Sequence, residues 1–118
     1  MKSRTGFRLL FAVLANMAFL SAQNYQGRIF GTVTDSSGAV VAGAKVTITN
    51  TATSLSRNLV TNSIGEYLAP DLDPGTYRVA VEAAGFKRTE STPVVLEVAR
   101  DVRVNLRLQP GAVNETVG

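Results

Sequence analysis

The sequence predicts an all-β protein, a sandwich of about seven short strands, and three observations predict it. Apolar residues after position 22 recur with period two, the signature of strands that bury one face. Val and Thr are abundant in those runs, as a pleated, half-buried surface prefers. Turn-forming Gly, Pro, Asp and Asn punctuate the runs every 8–15 residues, the spacing expected of a sandwich or barrel. No stripe of period 3.6 follows Ala22.

The 118 residues leave room for one domain. The first segment is set apart from the rest. Lys2, Arg4 and Arg8 precede a twelve-residue apolar run, Leu9 to Leu20, and then Ser21-Ala22-Gln23. This is the order of a secretory signal peptide, with the cut expected after Ala22. Twelve apolar residues are too few for a membrane-spanning helix, which needs about 20. Residues 23–26 are then a short linker, and the folded body runs over 27–109.

Within that body the first strand is expected near 27–34, where Ile29, Gly31 and Val33 alternate with Phe30, Thr32 and Thr34. Asp35-Ser36-Ser37-Gly38 turns the chain, with Asp accepting from the following backbone. A second strand near 44–50 sets Val46 and Ile48 against Thr47 and Thr49, and a weaker one near 55–61 carries Leu59 and Thr61. Asn62-Ser63-Ile64-Gly65 leads to a short strand near 65–69 around Tyr67. The Pro70 to Gly75 turn opens the strand near 76–83, where Tyr77, Val79 and Val81 alternate with Arg78, Ala80 and Glu82. Strands near 92–98 and 101–109 complete the set, the last with Val102, Val104, Leu106 and Leu108 on one side. Gly38, Gly65 and Gly75 are expected where a Cβ would be penalised. Tyr77 is expected to bury its ring, and Phe86 to plug one end at a truncation cost of about 3–5 kcal/mol. Residues 110–118 lack alternation and read as a linker or tail.

Composition excludes much chemistry. There is no His, no Cys and no Trp. That removes His or Cys zinc sites, Cys nucleophiles, His-based triads and disulfides. Lys plus Arg number 12 and Asp plus Glu 9, but three of the basic residues lie in the first eight positions. Without residues 1–22 the count is 9 against 9, so the body offers no electrostatic case for nucleic acid. Arg100, Arg103 and Arg107 are interleaved with acids and read as a solvated sheet face. Asp71 and Asp73 sit in a Pro/Gly turn without the ligand series of a calcium loop. An internal isopeptide bond would need Lys45, Asn105 and one of Glu66, Glu82 or Glu97 buried together, yet the alternation turns Lys45 and Asn105 to solvent. Asn114-Glu115-Thr116 forms a glycosylation sequon. No catalytic, cofactor-binding or metal-ligating residue is assigned, and no enzyme activity is expected.

Three stretches carry a resemblance: Gly31-Thr32-Val33-Thr34-Asp35-Ser36-Ser37-Gly38 followed by Val41 to Ile48; Thr61-Asn62-Ser63-Ile64-Gly65-Glu66-Tyr67; and Leu72-Asp73-Pro74-Gly75-Thr76-Tyr77 through Val81, closing with Ala84-Gly85-Phe86. In this order they resemble the carboxypeptidase regulatory-like domain, over about residues 27–109. The resemblance implies a seven-stranded, Greek-key-type, prealbumin-like β-sandwich. A signal peptide, this domain and a Leu108 to Val117 tail together resemble the start of a TonB-dependent outer-membrane receptor. The implied role is a non-catalytic periplasmic accessory domain in a Gram-negative envelope. Its implied partners are the receptor's plug and barrel or a periplasmic protein. The alternative is a free-standing exported module that binds carbohydrate, for which Tyr25, Phe30 and Tyr67 are the aromatic candidates, or that supports a surface adhesin.

Overall fold

The computed structural model describes residues 25–111. The signal peptide read over 1–22, the first linker residues and the sequon at Asn114 lie outside the described residues. The described residues form nine strands: β1 (Gly27–Asp35), β2 (Lys45–Asn50), β3 (Ser56–Val60), β4 (Glu66–Leu72), β5 (Gly75–Glu82), β6 (Thr89–Glu90), β7 (Val94–Leu96), β8 (Asp101–Arg103) and β9 (Leu106–Leu108). They build two sheets. One has the order β4-β1-β8, with β9 also on β1; the other runs β3-β2-β5-β6, with β7 also on β5. No helix occurs among the described residues, and none is long and apolar enough to cross a membrane.

The inner faces are the ones the alternation marks. Ile29 and Val33 of β1, Val46 and Ile48 of β2, Tyr77, Val79 and Val81 of β5, Leu96 of β7 and Leu106 and Leu108 of β9 form one buried core. Eight of the largest of these side chains are essentially inaccessible, each stabilising the fold by about 1.5–3 kcal/mol through burial. Tyr77 is buried as expected, and its hydroxyl donates to the Asp73 carbonyl. The central strand β5 pairs β2 on one side and β6 and β7 on the other. Across the sandwich, the Arg57 guanidinium of β3 donates to the Pro70 carbonyl of β4 and ties the two sheets at one side.

The turns follow their side-chain chemistry. Asp35 accepts from the Ser37 and Ala39 amides at 2.9 and 3.1 Å. These bonds hold its carboxyl below the usual carboxylate range, with the Ser37 hydroxyl the largest contributor. Asn62 plays the same part for the Ile64 and Glu66 amides. Gly65 has φ 76°, and a Cβ there would lie 2.9 Å from both the Val33 carbonyl and the Val40 side chain.

Several expectations are corrected. The described residues form nine strands, not seven. The run 92–98 supplies only β7, because Pro93 has no amide to donate and the chain turns at Ala99 with φ 53°; Val98 is therefore exposed. The two-residue β6 is too short to leave a period in the sequence. The run 101–109 is broken at Val104 and Asn105 into β8 and β9. Gly75 lies within β5 and lacks the positive φ that Gly38 and Gly65 adopt. Phe86 is only partly buried against the core, so its truncation should cost less than the about 3–5 kcal/mol of a fully buried phenylalanine. Beside it the chain past β9 is still held: Pro110 bridges Phe86, and the Gly111 amide donates to the Gly85 carbonyl at 2.8 Å.

Candidate functional site

The outward residues of β1 are Arg28, Phe30 and Thr32, since Ile29, Gly31 and Val33 point inward. Register then decides what stands beside them. Phe30 pairs Leu68 on β4 and Arg103 on β8, which sets a row of three side chains across three strands. The Arg103 guanidinium lies 4.7 Å from the Phe30 ring centroid, a cation–π contact. One row along, Arg28 grips Asp101 through two bonds, Nη2 to Oδ2 at 2.7 Å and Nε to Oδ1 at 3.1 Å. That fork raises Arg28 and lowers Asp101, the side-chain hydrogen bond being the main cause for both. Both groups are solvated, so the pair adds little stability.

Together with Asn62 and Glu66 these residues line a shallow groove of about 480 Å³ on the outer face of the four-stranded sheet. Its surface offers a half-buried aromatic ring, an exposed leucine and a guanidinium without a carboxylate partner among the described residues. Such a surface can bind a side chain or a short segment. It pairs no nucleophile with a base, and the described residues hold no group of three or more metal-ligating side chains.

Beneath the groove floor, Gly31 faces Tyr67 of β4. A Cβ on Gly31 would lie 1.9 Å from the Val104 carbonyl. The Tyr67 hydroxyl donates to that same carbonyl, and burial raises its pKa, keeping it protonated. The missing side chain at 31 is what lets the backbone at Val104 lean inward, and this lean is the break between β8 and β9.

The residues weighed from sequence are distributed as follows. Lys45 is exposed on β2 in one sheet; Asn105 is exposed beside the other sheet, where its Oδ1 accepts the Thr32 amide at 2.9 Å. They are not buried together. Asp73 accepts from Gln26 at 2.9 Å, and Asp71 takes a left-handed turn with φ 58°. Arg103 and Arg107 do share a face, but Arg107 donates to the Ser36 carbonyl rather than extending a stripe. Of the aromatic candidates, Phe30 lines the groove, Tyr67 is buried below it, and Tyr25 stands exposed at the entry to β1. They form no continuous platform. Sequence reasoning missed Leu68 and Asp101 as neighbours of Phe30 and Arg28. Only the outward phase of each was readable.

Residues 28–109 match the family model of the carboxypeptidase regulatory-like domain. Over 108 residues the chain is 35% identical to the TonB-dependent transporter Oar of Myxococcus xanthus, a match that takes in 89% of this chain and 10% of that protein. The chain thus spans about a tenth of the length of the curated relative it matches. Among solved structures, the Bacillus anthracis TIE protein is similar with a TM-score of 0.62 at 18% identity, over 73% of this chain and 17% of that one. Catechol 1,2-dioxygenase from Pseudomonas arvilla C-1 has a TM-score of 0.62 at 14% identity, over 80% and 55%. The group B streptococcus pilus 2b backbone protein has a TM-score of 0.60 at 18% identity, over 79% and 43%. Identities this low establish the sandwich fold and nothing about activity.

Proposed function

The chain belongs to the carboxypeptidase regulatory-like domain family, and from that premise we propose that it is a non-catalytic accessory domain of a TonB-dependent outer-membrane receptor. The observation that carries the proposal is the similarity to a TonB-dependent transporter along 89% of this chain. In this reading residues 1–22 direct export, residues 23–26 link, residues 27–109 form the sandwich in the periplasm, and residues 110–118 lead onward. A chain without His or Cys, with a groove suited to contact rather than to proton transfer, supports a role in binding or positioning. Partners are then the rest of the receptor or a periplasmic protein that docks on the Phe30, Leu68 and Arg103 row.

The test is an immunoblot of fractionated native cells with antibody against residues 27–109. The expected result is an outer-membrane band far larger than this chain. A band no larger than the 12.5 kDa of this chain in the soluble periplasm or the medium would overturn the receptor reading and leave a free-standing exported module.

A further inference from the structure

The first and last strands of the fold lie side by side and run the same way. Arg28, Ile29 and Phe30 of β1 pair Asp101, Val102 and Arg103 of β8 in parallel. Val33, Thr34 and Asp35 pair Leu106, Arg107 and Leu108 of β9, again in parallel. The chain therefore enters the sandwich at one pole and leaves it at the opposite pole, about 27 Å away at a rise near 3.3 Å per residue.

This arrangement fixes how the fold answers to tension. A pull between its two ends runs along β1 and β9 in opposite senses. The hydrogen bonds of a parallel ladder lie across that direction, so the pull shears them together instead of opening them one after another. The seam is continuous. The Arg28 amide donates to the Arg100 carbonyl at 3.0 Å, and the Val104 amide to the Phe30 carbonyl at 2.7 Å. Where the β8–β9 break would leave a gap, the Asn105 side chain accepts the Thr32 amide at 2.9 Å. Side chains bridge the same two strands on the outer face, through the Arg28–Asp101 fork and the Arg103–Phe30 contact. The Tyr67 hydroxyl holds the Val104 carbonyl from within.

We infer that the parallel seam between β1 and β8–β9 makes this domain mechanically resistant to forces applied between the two ends of the fold. The inference rests on topology and stands apart from the receptor reading, whose own test is cell fractionation.

The experiment is single-molecule force spectroscopy on the full chain. The protein has no cysteine, so two engineered cysteines place the handles uniquely. Tyr25→Cys with Gln109→Cys pulls the seam in shear. Tyr25→Cys with Val98→Cys pulls at a single pole and peels β1 from the start of β8, since the Ala99 amide donates to the Tyr25 carbonyl there. Tyr25, Val98 and Gln109 are all exposed, and matching thermal melts of the two variants confirm equal folding. The expected result is a several-fold higher unfolding force in the shear geometry. That geometry should also unfold in a single step, with a length gain of roughly 260 Å at 3.3–3.6 Å per released residue. Equal forces in the two geometries, or early low-force release of β8 and β9 under end-to-end pulling, would overturn the inference.

Discussion

Every pairing in the five-stranded sheet is antiparallel, whereas the four-stranded sheet joins one antiparallel pair to a parallel seam. The two sheets also differ in how far their partners lie apart along the chain. In the first, hydroxyl and amide side chains from nearby strands meet across the outer face: Thr49 with Ser56 at 2.9 Å and Thr47 with Asn58 at 3.1 Å, 7 and 11 residues apart. In the second, Arg28 meets Asp101 and Thr32 meets Asn105, each pair 73 residues apart. Bringing such ends together costs more loop-closure entropy, and a parallel ladder returns slightly less per residue. The four-stranded sheet is therefore the part of the fold that depends most on specific closing contacts. It is also where the groove and the proposed load path lie.

Four substitutions or conditions break or sharpen this contrast. The largest effect belongs to the shared core. Ile48→Ala in β2 removes a side chain with 1% exposure and should cost about 2–5 kcal/mol, read from urea midpoints. Next is Gly31→Val, which acts on the seam alone. Its Cβ would collide with the Val104 carbonyl, and about 3 kcal/mol should be lost to overpacking. A wild-type midpoint would mean that β8 and β9 do not close on β1 as described. Tyr67→Phe deletes only the hydroxyl that serves the Val104 carbonyl. It should cost about 1–3 kcal/mol, the range for leaving a buried polar group unsatisfied, while a neutral result would assign that carbonyl another partner.

The smallest effect is on pH. Asp101 is held below its ordinary value of 3.8 by Arg28. A depressed folded-state pKa contributes stability that is present above the unfolded value and lost as pH falls through the folded one. Acid titration of stability from pH 5 downward should thus show a small loss below about pH 4 that Asp101→Asn diminishes. An unchanged profile would mean that the Arg28 fork does not persist in solution.

The contrast also explains what could be read in advance. Alternation named the inward residues of β1, β2 and β5 because each strand buries one face, whatever it pairs with. The Asp35 and Asn62 turns were legible because their bonds close within four residues. The split of the last strand was not, because its causes are the absent Cβ of Gly31 and the hydroxyl of Tyr67, both far away in sequence. The groove was hidden for the same reason. Phe30, Leu68 and Arg103 each read as outward residues, but their row exists only once the registers of β1 with β4 and with β8 are both fixed.

The central claim is that the terminal strands form a clasp as firm as the core they close. Native-state hydrogen exchange tests it most directly. The account predicts that the Arg28, Thr32 and Val104 amides exchange as slowly as those of the central strands β2 and β5, all through global unfolding. Exchange of these three amides orders of magnitude faster than in β2 and β5 would show that the seam frays on its own. The clasp, and the load path built on it, would then be contradicted.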